Sequence, residues 1–545
     1  MPELERPMKW WGWGDPDHQA SIPEPALATL RSALGVEDRQ VSVPSLEQLE
    51  LPDEALEKKA RRRLAEAVGE QWVKNDRLTL VTHAAGKSYP DLLKMRSGSL
   101  ADVPNAVVYP ADADEVRTVL EACAQEGVAV VPFGGGTSVV GGVEPLRAGH
   151  EAVISLDLGR IAHVRDVDKR SLTVALGAGL RGPAVESALA SHGLTLGHYP
   201  QSWEYATVGG WVATRSAGQA STGYGAIDKI VSGLRCVAPG GVIALAPIPA
   251  TAAGPGLRQL LVGSEGLFGV ITEATLKVRP LPEAQRYEGW MFHDFEEGAE
   301  AFRALEQRHV VPDVARLSDP DETSLSLTLS DDGSLQRRLG RRYIGARGYD
   351  GGCIAIVGYE GERGDVDSRR ARAARILSRG GGLSLGTGPG RAWHRGRFEG
   401  PYLRDALLDR GVMAETLETA APWSALMGLY RAVAGALRSA LEARGTPGLV
   451  MCHISHLYPD GASLYYTFIA AQQQGQEMDQ WRAVKSAACD AIVSNGGTIT
   501  HHHAIGRDHV PWMTREIGNT GIDALRGVKE RLDPAGILNP GKVLP

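Results

Sequence analysis

The chain has 545 residues, enough for two or more domains that share a substantial core. Its formal net charge of -7 argues against a general nucleic-acid-binding protein, which would normally be basic. Five scattered cysteines form no CxxC pair, so a disulfide framework or a zinc ribbon is disfavoured and a reducing cytosol fits.

The sequence predicts neither a membrane-spanning segment nor a targeting signal. No apolar run reaches the ~20 residues that span a bilayer, and the N-terminus lacks the apolar region of a signal peptide. The final residues, Lys542-Val-Leu-Pro545, do not form a Ser-Lys-Leu peroxisomal signal. The sequence therefore predicts a cytoplasmic protein, with peripheral contact to a membrane left open.

Residues 1–100 are predicted to form an N-terminal helical leader. Trp10, Trp11 and Trp13 cluster around Gly12, and we interpret them as an anchor onto the main body or onto a partner. Residues Ala55 to Glu70 are rich in Lys, Arg, Glu and Ala, which predicts a helix with a solvated surface.

From Pro104 short strands and helices alternate, which predicts a mixed α/β unit with spacing too irregular for a TIM barrel. Asp112 or Asp114 is the predicted N-cap of the first helix. The predicted strands are 106–110, 128–132, 153–157 and 171–176, and the predicted helices are 112–125 and 180–190.

Three loops rich in Gly, Ser and Thr follow β-prone residues in this unit, at 131–142, 206–218 and 262–272. Glycine leaves the backbone free to turn and to bring its N–H groups close to an anion. Together the loops favour an extended nucleotide cofactor over unrelated turns. A Rossmann site and a P-loop are disfavoured, because neither GxGxxG nor GxxxxGK[ST] occurs in these loops.

A proline-marked linker at Arg279-Pro-Leu-Pro282 leads to a second unit. Cys353 to Val357 is predicted as a strand and Asp365 to Gly380 as an arginine-rich helix. Near the end, Thr498-Ile-Thr500 runs into three consecutive histidines, which are unusual inside a folded chain.

These motifs resemble a known group of flavoproteins. Pro132-Phe-Gly-Gly-Gly-Thr-Ser138, Thr207-Val-Gly-Gly210, Gly263-Ser-Glu-Gly-Leu-Phe-Gly269 and the terminal Asp533-Pro-Ala-Gly-Ile-Leu-Asn-Pro-Gly-Lys542 resemble the vanillyl-alcohol oxidase, or para-cresol methylhydroxylase (PCMH), superfamily. Within it, the chain is most similar to the alkyldihydroxyacetonephosphate synthase (alkylglycerone-phosphate synthase) branch. That likeness covers roughly residues 75–545 and rests on segments 203–215, 402–405, 418–423, 461–465 and 498–503.

The resemblance implies an α+β fold, with a PCMH-type FAD-binding domain of two subdomains and an α+β cap domain that contains an antiparallel sheet. After the leader, the implied units are the FAD-binding domain at 101–282, the cap or substrate domain at 283–500, and a segment at 501–545 that returns to the FAD domain. The implied partners are lipids, namely acyl-dihydroxyacetone phosphate and a fatty alcohol, and a second copy of the chain in a homodimer.

The implied reaction replaces the acyl chain of 1-acyl-dihydroxyacetone phosphate with a long-chain alcohol, without net redox, on the route to ether lipids. The implied cofactor is FAD, bound non-covalently because Thr137 and Ser138 stand where a linking histidine or cysteine would be. The predicted FAD-binding residues are Pro132, Phe133, Gly134, Gly135, Gly136, Thr137, Ser138, Gln201, Ser202, Ala206, Thr207, Gly210, Thr214, Arg215, Ser216, Ala217, Gly263, Ser264, Glu265, Gly266, Gly269, Val270, Ile271 and Arg316. A structural ion pair is the alternative role for Arg316.

The resemblance also implies the residues that act on substrate. Arg404 would bind the phosphate, since a bidentate guanidinium suits that group, and a salt bridge with Asp405 is its alternative role. Tyr465 would be the acid/base and is favoured over Tyr466.

His501, His502 and His503 would move protons or stabilise the departing carboxylate, with at least one of them structural. No metal is predicted, because neighbouring residues on a strand point to opposite faces and cannot all reach one ion. His453 and His456 flank the region and are interpreted as packing residues.

Two other function classes stay open. An FAD-dependent dehydrogenase or oxidase of a 2-hydroxy acid, such as lactate or glycolate, would also use a flavin, an arginine and histidines. A flavin-binding scaffold without catalysis is the third hypothesis. Anaerobic bleaching of the flavin by a hydroxy acid would indicate the dehydrogenase, whereas exchange of a labelled fatty alcohol would indicate the transferase.

Overall fold

Three large β-sheets organise the protein in a computed structural model that describes residues 7–18, 20–36, 40–52, 56–329 and 334–545. Two sheets belong to the half that carries the glycine loops, and the third forms the second unit. A small two-stranded sheet pairs Arg279–Pro280 with Leu194–Thr195 and joins the predicted linker to the first half.

The first sheet has four strands and holds the first glycine loop at its edge. Its order is Val73–Lys74, Ala106–Val108, Ala152–Asp157 and Val128–Phe133, with only the first pair antiparallel. Helix Ala113–Glu126 packs against it and begins at Asp112, whose carboxylate accepts the N–H groups of Asp114 and Glu115 at 2.9 Å. Asp112 is therefore the N-cap, as one of the two predicted candidates.

Helix Lys58–Val68 covers helix Ala113–Glu126 and differs from the solvated helix predicted over 55–70. It is shorter, and it buries Ala60, Leu64 and Val68. Those positions recur at i, i+4 and i+8, so they form one apolar stripe beneath the charged face that dominated the composition.

The second sheet has five antiparallel strands and carries the other two glycine loops. Helices Gly182–Ala190 and Val208–Thr214 lie beside it, together with the short helices Ser221–Tyr224, Ile227–Ile230 and Leu257–Leu261. In spatial order its strands are Val164–Asp168, Thr173–Gly177, Val270–Lys277, Val231–Ala238 and Gly241–Leu245.

The third sheet, here the cap sheet, has seven antiparallel strands. Its order is Leu383–Gly386, Ala284–Phe292, Cys353–Gly361, Val314–Ser318, Gly448–Ile454, Gly461–Ala471 and Val412–Pro422. Helices Phe295–Gln307, Arg363–Arg379, Trp423–Ala443 and Glu477–Ser494 cover one face and bury the largest apolar cluster. Helices Pro320–Leu329, Leu335–Ala346, Thr387–Gly396 and Gly400–Leu408 complete this half.

Strand alternation decides which side chains of the cap sheet face the glycine loops. Along Gly461–Ala471, Leu464, Tyr466 and Phe468 join the helix-covered core, while Tyr465, Thr467 and Ile469 line a cavity on the opposite face. The second unit therefore faces the glycine loops of the first unit through the open face of the cap sheet.

The two ends of the chain also pack on this assembly. Helix Met513–Leu532 leads to a turn in which the Asp533 carboxylate accepts the N–H groups of Ile537 and Leu538, at 3.2 and 2.8 Å. Residues 537–539 then pair with Val130, on the strand that precedes the first glycine loop. The terminal motif therefore fixes that strand.

The N-terminal residues contribute helices Glu24–Leu34, Arg77–Thr82 and Tyr89–Arg96. Trp10 and Trp13 are buried, so the tryptophan cluster anchors on the main body. Among the residues that the structure describes, none of the helices is both long enough and apolar enough to cross a bilayer.

Candidate active site

One cavity of about 570 Å³ lies between the glycine loops and the open face of the cap sheet. The glycine loops supply one side. Residues from the cap strands, from helix Gly400–Leu408 and from the N-terminal region supply the rest. The cavity thus gathers residues that are far apart in sequence.

The first glycine loop is shaped as a cradle that only glycine allows. A Cβ atom at Gly134 would lie 2.3 Å from Oγ1 of Thr207, and one at Gly135 would lie 2.0 Å from the carbonyl oxygen of Tyr205. Any side chain at Gly135 would therefore collide with backbone. Gly134 and Gly135 therefore pack against the segment that leads into helix Val208–Thr214, which forms most of the second predicted glycine loop. A backbone without side chains at this point fits a cofactor whose phosphates bind main-chain N–H groups.

Most predicted FAD-binding residues line this cavity. They are Pro132, Phe133, Gly134, Gly135, Gly136, Thr137, Ser138, Gln201, Ser202, Ala206, Thr207, Gly210, Thr214, Ser216, Ala217, Glu265, Gly266, Gly269, Ile271 and Arg316. The buried Nε1 of Trp211 and Oε1 of Gln219 also belong to the wall, and neither has a hydrogen-bond partner among the described residues. Unpaired polar atoms beside a glycine cradle suit a polar cofactor such as FAD.

Four other predicted FAD-binding residues, Arg215, Gly263, Ser264 and Val270, are outside the set that lines the cavity. The Arg215 guanidinium donates to the carbonyl groups of Gln259 and Val262, at 3.0 and 2.9 Å. Val270 is buried within strand Val270–Lys277. These residues shape the loops from behind, and their direct contact with FAD stays a prediction.

Glu265 ties the third glycine loop to the C-terminal region. Its carboxylate accepts the N–H groups of Ile505 at 2.8 Å and Gly506 at 2.9 Å, and its carbonyl accepts from the Asn539 amide at 2.6 Å. Burial raises the pKa of Glu265 to about 7. The third loop and the segment after the histidines therefore hold each other in place.

Tyr465 stands at the cavity, whereas Tyr466 does not. The Tyr465 ring stacks on His453 with centroids 4.8 Å apart, and it lies 5.4 Å from the ring of His503. Burial raises the pKa of Tyr465 to about 12, so its hydroxyl is protonated at neutral pH. Tyr466 instead donates to the carbonyl of Tyr430 within the helix-covered core.

The three histidines form a bend, here the histidine loop (His501–His503), and do not lie on a strand. The buried carboxylate of Glu418 collects their backbone N–H groups, at 2.5, 3.0 and 2.8 Å in chain order, and the Thr500 hydroxyl at 2.6 Å. The strand geometry that we assumed for these residues is therefore wrong. The backbone bends because three consecutive N–H groups donate to one carboxylate.

The charged group that binds the histidine loop is the Glu418 carboxylate. Burial works against its ionisation, but the three histidines and the Thr500 hydroxyl hold the pKa of Glu418 well below its usual range. Burial lowers the pKa of His501 to about 4 and that of His503 to about 3, so both rings are neutral and only weakly basic at pH 7.

The rings of the histidine loop differ in position. His502 and His503 line the cavity, while Nε2 of His501 is hydrogen-bonded to the Tyr458 hydroxyl at 2.6 Å. One potential ligand nitrogen from each of His456, His501 and His502 lies within 4.8 Å of the others. Alternation along a strand therefore cannot exclude a metal ion, and the absence of a metal stays a prediction.

Arg316 enters the cavity wall as part of a charged group. Its guanidinium contacts the Glu322 carboxylate and lies 3.1 Å from both ring nitrogens of His453. Burial opposes ionisation of Glu322, but Arg316 and His453 outweigh it and lower the pKa of Glu322 to about 2. We considered FAD binding and a structural ion pair as alternative roles for Arg316. The structure shows the ion pair with Glu322 and also places Arg316 in the cavity wall.

Arg404 carries donors that the protein itself does not use. Its Nη1 donates to the carbonyl of Lys87 at 2.6 Å, and its Nη2 lies 3.8 Å from Oδ1 of Asp405. Its Nε and Nη2 atoms are buried, and within the described part of the chain they have no hydrogen-bond partner. A guanidinium with two unused donors in a cavity wall suits an anionic ligand.

Comparison with known proteins places the chain in a family. A model of the FAD binding domain matches residues 104–245, and one of the C-terminal domain of FAD linked oxidases matches 281–543. The alkyldihydroxyacetonephosphate synthase of Dictyostelium discoideum is 32% identical over 100% of this chain and 94% of its own length. This chain belongs to the alkyldihydroxyacetonephosphate synthase family.

Further relatives of the alkyldihydroxyacetonephosphate synthase family agree. The synthase of Trypanosoma brucei brucei is 36% identical, over 88% of this chain and 80% of its own. A solved alkyldihydroxyacetonephosphate synthase structure superposes with a TM-score of 0.85 at 30% identity, and covers 98% of this chain and 99% of the other. The predicted family, the α+β PCMH-type fold and the FAD cofactor are confirmed.

Two features of the site were not predicted. Glu418 was recognised only as part of a motif, and nothing nearby in sequence indicates that it folds a loop more than eighty residues away. Lys87 and Trp13 also line the cavity, although both precede the predicted FAD-binding domain. The cluster of tryptophans drew attention to Trp13, but we interpreted it as an anchor and not as part of the site.

Proposed function

We propose that this protein is an FAD-dependent alkyldihydroxyacetonephosphate synthase that exchanges the acyl chain of 1-acyl-dihydroxyacetone phosphate for a long-chain alcohol, without net redox. The observation that carries the proposal is the composition of one cavity. It joins the glycine cradle, an arginine with unused donors and an extended apolar wall. A phosphorylated lipid requires the last two together.

The apolar wall fits a long aliphatic chain. Its residues come from helix Glu24–Leu34 and the segment before it, from helices Pro320–Leu329 and Gly400–Leu408 and from the cap strands, and all of them belong to one hydrophobic cluster. They are Ile22, Leu30, Leu325, Leu329, Leu403, Leu407, Ala414, Met451 and Ile469. Each methylene buried there would contribute about 0.8 kcal/mol to binding.

Arg404 would hold the phosphate and so fix the position of the ketone carbon beside it. Tyr465 would then act first as the acid, because its raised pKa keeps the hydroxyl protonated at neutral pH, and it would accept a proton only after donating its own. The rings of His502 and His503 lie 6.1 and 5.4 Å from the ring of Tyr465, so they would relay its proton or donate an N–H to the departing carboxylate. When bound, FAD would supply an electron-poor isoalloxazine ring as the reactive partner of the substrate.

A 2-hydroxy-acid dehydrogenase is the competing function. Lactate or glycolate would use an arginine and a histidine of this kind, but neither has a chain to cover the apolar wall. Leaving that wall empty would forgo most of the binding energy that the cavity offers. The apolar wall therefore favours the transferase.

The lipid substrates also bear on where the protein works. We propose a cytoplasmic enzyme that contacts membranes peripherally, since both substrates partition into bilayers, and that forms a homodimer. Flotation with phospholipid vesicles would test the first part and light scattering the second. A protein that never floats, or that scatters as a monomer, would contradict the corresponding part.

The function is tested by incubating the flavin-loaded enzyme with palmitoyl-dihydroxyacetone phosphate and radiolabelled hexadecanol. We expect label in a base-stable, phosphate-bearing product and no lasting change in the flavin spectrum. Lactate or glycolate added anaerobically should leave the oxidised flavin band intact. Bleaching by a hydroxy acid, together with failure to incorporate the alcohol, would establish the dehydrogenase instead.

A further inference from the structure

The N-terminal loop (Lys9–Gly14) is built onto the helix that carries Arg404. The backbone N–H of Trp13 donates to Oδ2 of Asp405 at 2.6 Å, and Nζ of Lys9 lies 3.1 Å from the same oxygen. From the other side, Nζ of Lys87 donates to the carbonyl groups of Lys9 and Trp10, at 3.0 and 3.4 Å. The N-terminal loop is therefore held by Asp405 and Lys87, which are both next to Arg404, the residue predicted to bind the phosphate.

Two glycines make this fit close. A Cβ atom at Gly12 would lie 2.3 Å from Oδ2 of Asp405, and one at Gly14 would lie 2.3 Å from the Tyr402 hydroxyl. Gly14 also has a φ of +78°, which side-chain-bearing residues rarely adopt. Larger residues would push the N-terminal loop away from helix Gly400–Leu408.

The N-terminal loop lies among buried charges. Lys9 and Lys87 are buried, and Nζ of Lys9 lies 3.1 Å from Oδ2 of Asp405. The Arg404 guanidinium donates to the Lys87 carbonyl, and the carboxylates of Asp405 and Glu415 oppose the lowering of the Arg404 pKa that burial causes. Cations placed around a cavity favour an anionic ligand such as a phosphate.

Trp13 itself has an unused donor. Its side chain is 3% exposed and lines the cavity, yet its Nε1 has no hydrogen-bond partner in the described structure. The unused Nε and Nη2 of Arg404 belong to the same wall. Arg404 directly precedes Asp405, whose carboxylate accepts the backbone N–H of Trp13. Buried donors are costly to leave unpaired, so three of them in one wall indicate a ligand that accepts them.

We propose that the Trp13 indole N–H donates to the substrate phosphate beside Arg404, which makes the N-terminal loop part of the substrate site. The inference rests on the proposed function and adds a binding residue to it. Trp13 lies outside both segments matched by the family models. Lys9, Lys87 and Asp405 act as positioning residues that hold the N-terminal loop in reach of the phosphate.

The test is Trp13→Phe, which keeps an aromatic ring and removes the N–H. Binding of dihydroxyacetone phosphate to the flavin-loaded enzyme is followed by the absorbance change of the flavin. We expect a Kd roughly tenfold higher than in the wild type, as for loss of one hydrogen bond to a charged group. KM should rise by a similar factor while kcat changes less than twofold.

Two controls separate this effect from general damage. Trp11→Phe makes the same chemical change two residues away, at a side chain outside the cavity lining, and should bind as the wild type does. Dihydroxyacetone without the phosphate should bind equally weakly to the wild type and to Trp13→Phe. If Trp13→Phe lost its flavin, Lys9→Met would replace it, with the same expected rise in Kd.

The outcomes distinguish the inference from the function. A wild type that prefers dihydroxyacetone phosphate over dihydroxyacetone, together with an unchanged Kd in Trp13→Phe, would overturn the role of Trp13 and leave the function standing. A wild type without that preference would overturn both. A rise in Kd for both sugars alike would assign Trp13 a purely structural role.

Discussion

Glu418→Gln is the sharpest perturbation of the histidine loop. The substitution keeps the shape of the side chain but removes its charge and turns one acceptor oxygen into an NH₂ donor. If that group replaces Oε2, it faces the backbone N–H of His501, which now donates at 2.5 Å. Two donors would then oppose each other, and the remaining oxygen would bond less strongly because it is no longer charged.

The magnitude follows from those contacts. A buried donor that loses its partner costs about 1–3 kcal/mol, and hydrogen bonds to charged groups are worth about 1.5–3 kcal/mol each. We therefore expect the free energy of unfolding to fall by about 3 kcal/mol. Displacement of His502 and His503 by about 1 Å would also lower kcat by up to about 10²-fold.

The assay is urea unfolding of the flavin-loaded protein, monitored by flavin fluorescence and circular dichroism, together with alcohol-exchange kinetics. Glu288→Gln is a matched control, because Glu288 is a buried strand carboxylate paired with Arg370 and lies outside the cavity lining. It should leave kcat unchanged. If Glu418→Gln unfolded within about 0.5 kcal/mol of the wild type and kept its kcat, the role assigned to Glu418 would be refuted.

Four further outcomes are expected. Arg404→Lys should raise the KM for the phosphate substrate by about 10- to 100-fold with flavin retained, because an ammonium cannot fill both donor positions; an unchanged KM would exclude Arg404 as the phosphate ligand. Tyr465→Phe should abolish exchange without loss of thermal stability, and residual turnover near the wild-type rate would assign the proton transfer elsewhere. Gly135→Ala should purify with less flavin, since its Cβ would meet the Tyr205 carbonyl at 2.0 Å, whereas Gly428→Ala, with open space around its Cβ, should not. Burial lowers the pKa of Lys87 to about 8, and the charges of Arg404 and Lys9 add to this shift while Asp405 and Asp91 oppose it. The Lys87 ammonium therefore loses its proton as the pH rises through about 8. The KM of the wild type should increase over that range, whereas the KM of Lys87→Arg should not.

The parts of the structure that follow local rules could be predicted from the sequence. Alternation along a strand separated Tyr465 from Tyr466, and residue chemistry identified Asp112 as a candidate cap. The three glycine loops were recognised because close approach of backbone demands glycine at fixed positions. These features depend on residues within a few positions of one another.

The remaining features depend on contacts between distant residues. The histidine loop bends because Glu418, 83 positions earlier, binds the N–H of His501. The N-terminal loop joins the site through Asp405, 392 positions from Trp13. No local pattern encodes either pairing, and the strand assumed for the histidines failed because a buried carboxylate outweighed the tendency of the chain to extend.

The central claim is an exchange of chains without net redox. It is tested most directly by a mass balance under anaerobic conditions, with the flavin-loaded enzyme, acyl-dihydroxyacetone phosphate and hexadecanol, and with no electron acceptor. The account predicts many turnovers, one fatty acid released for each alkyl product, and oxidised flavin at the end. Turnover that stops after one equivalent with reduced flavin, or that requires an electron acceptor, would contradict it.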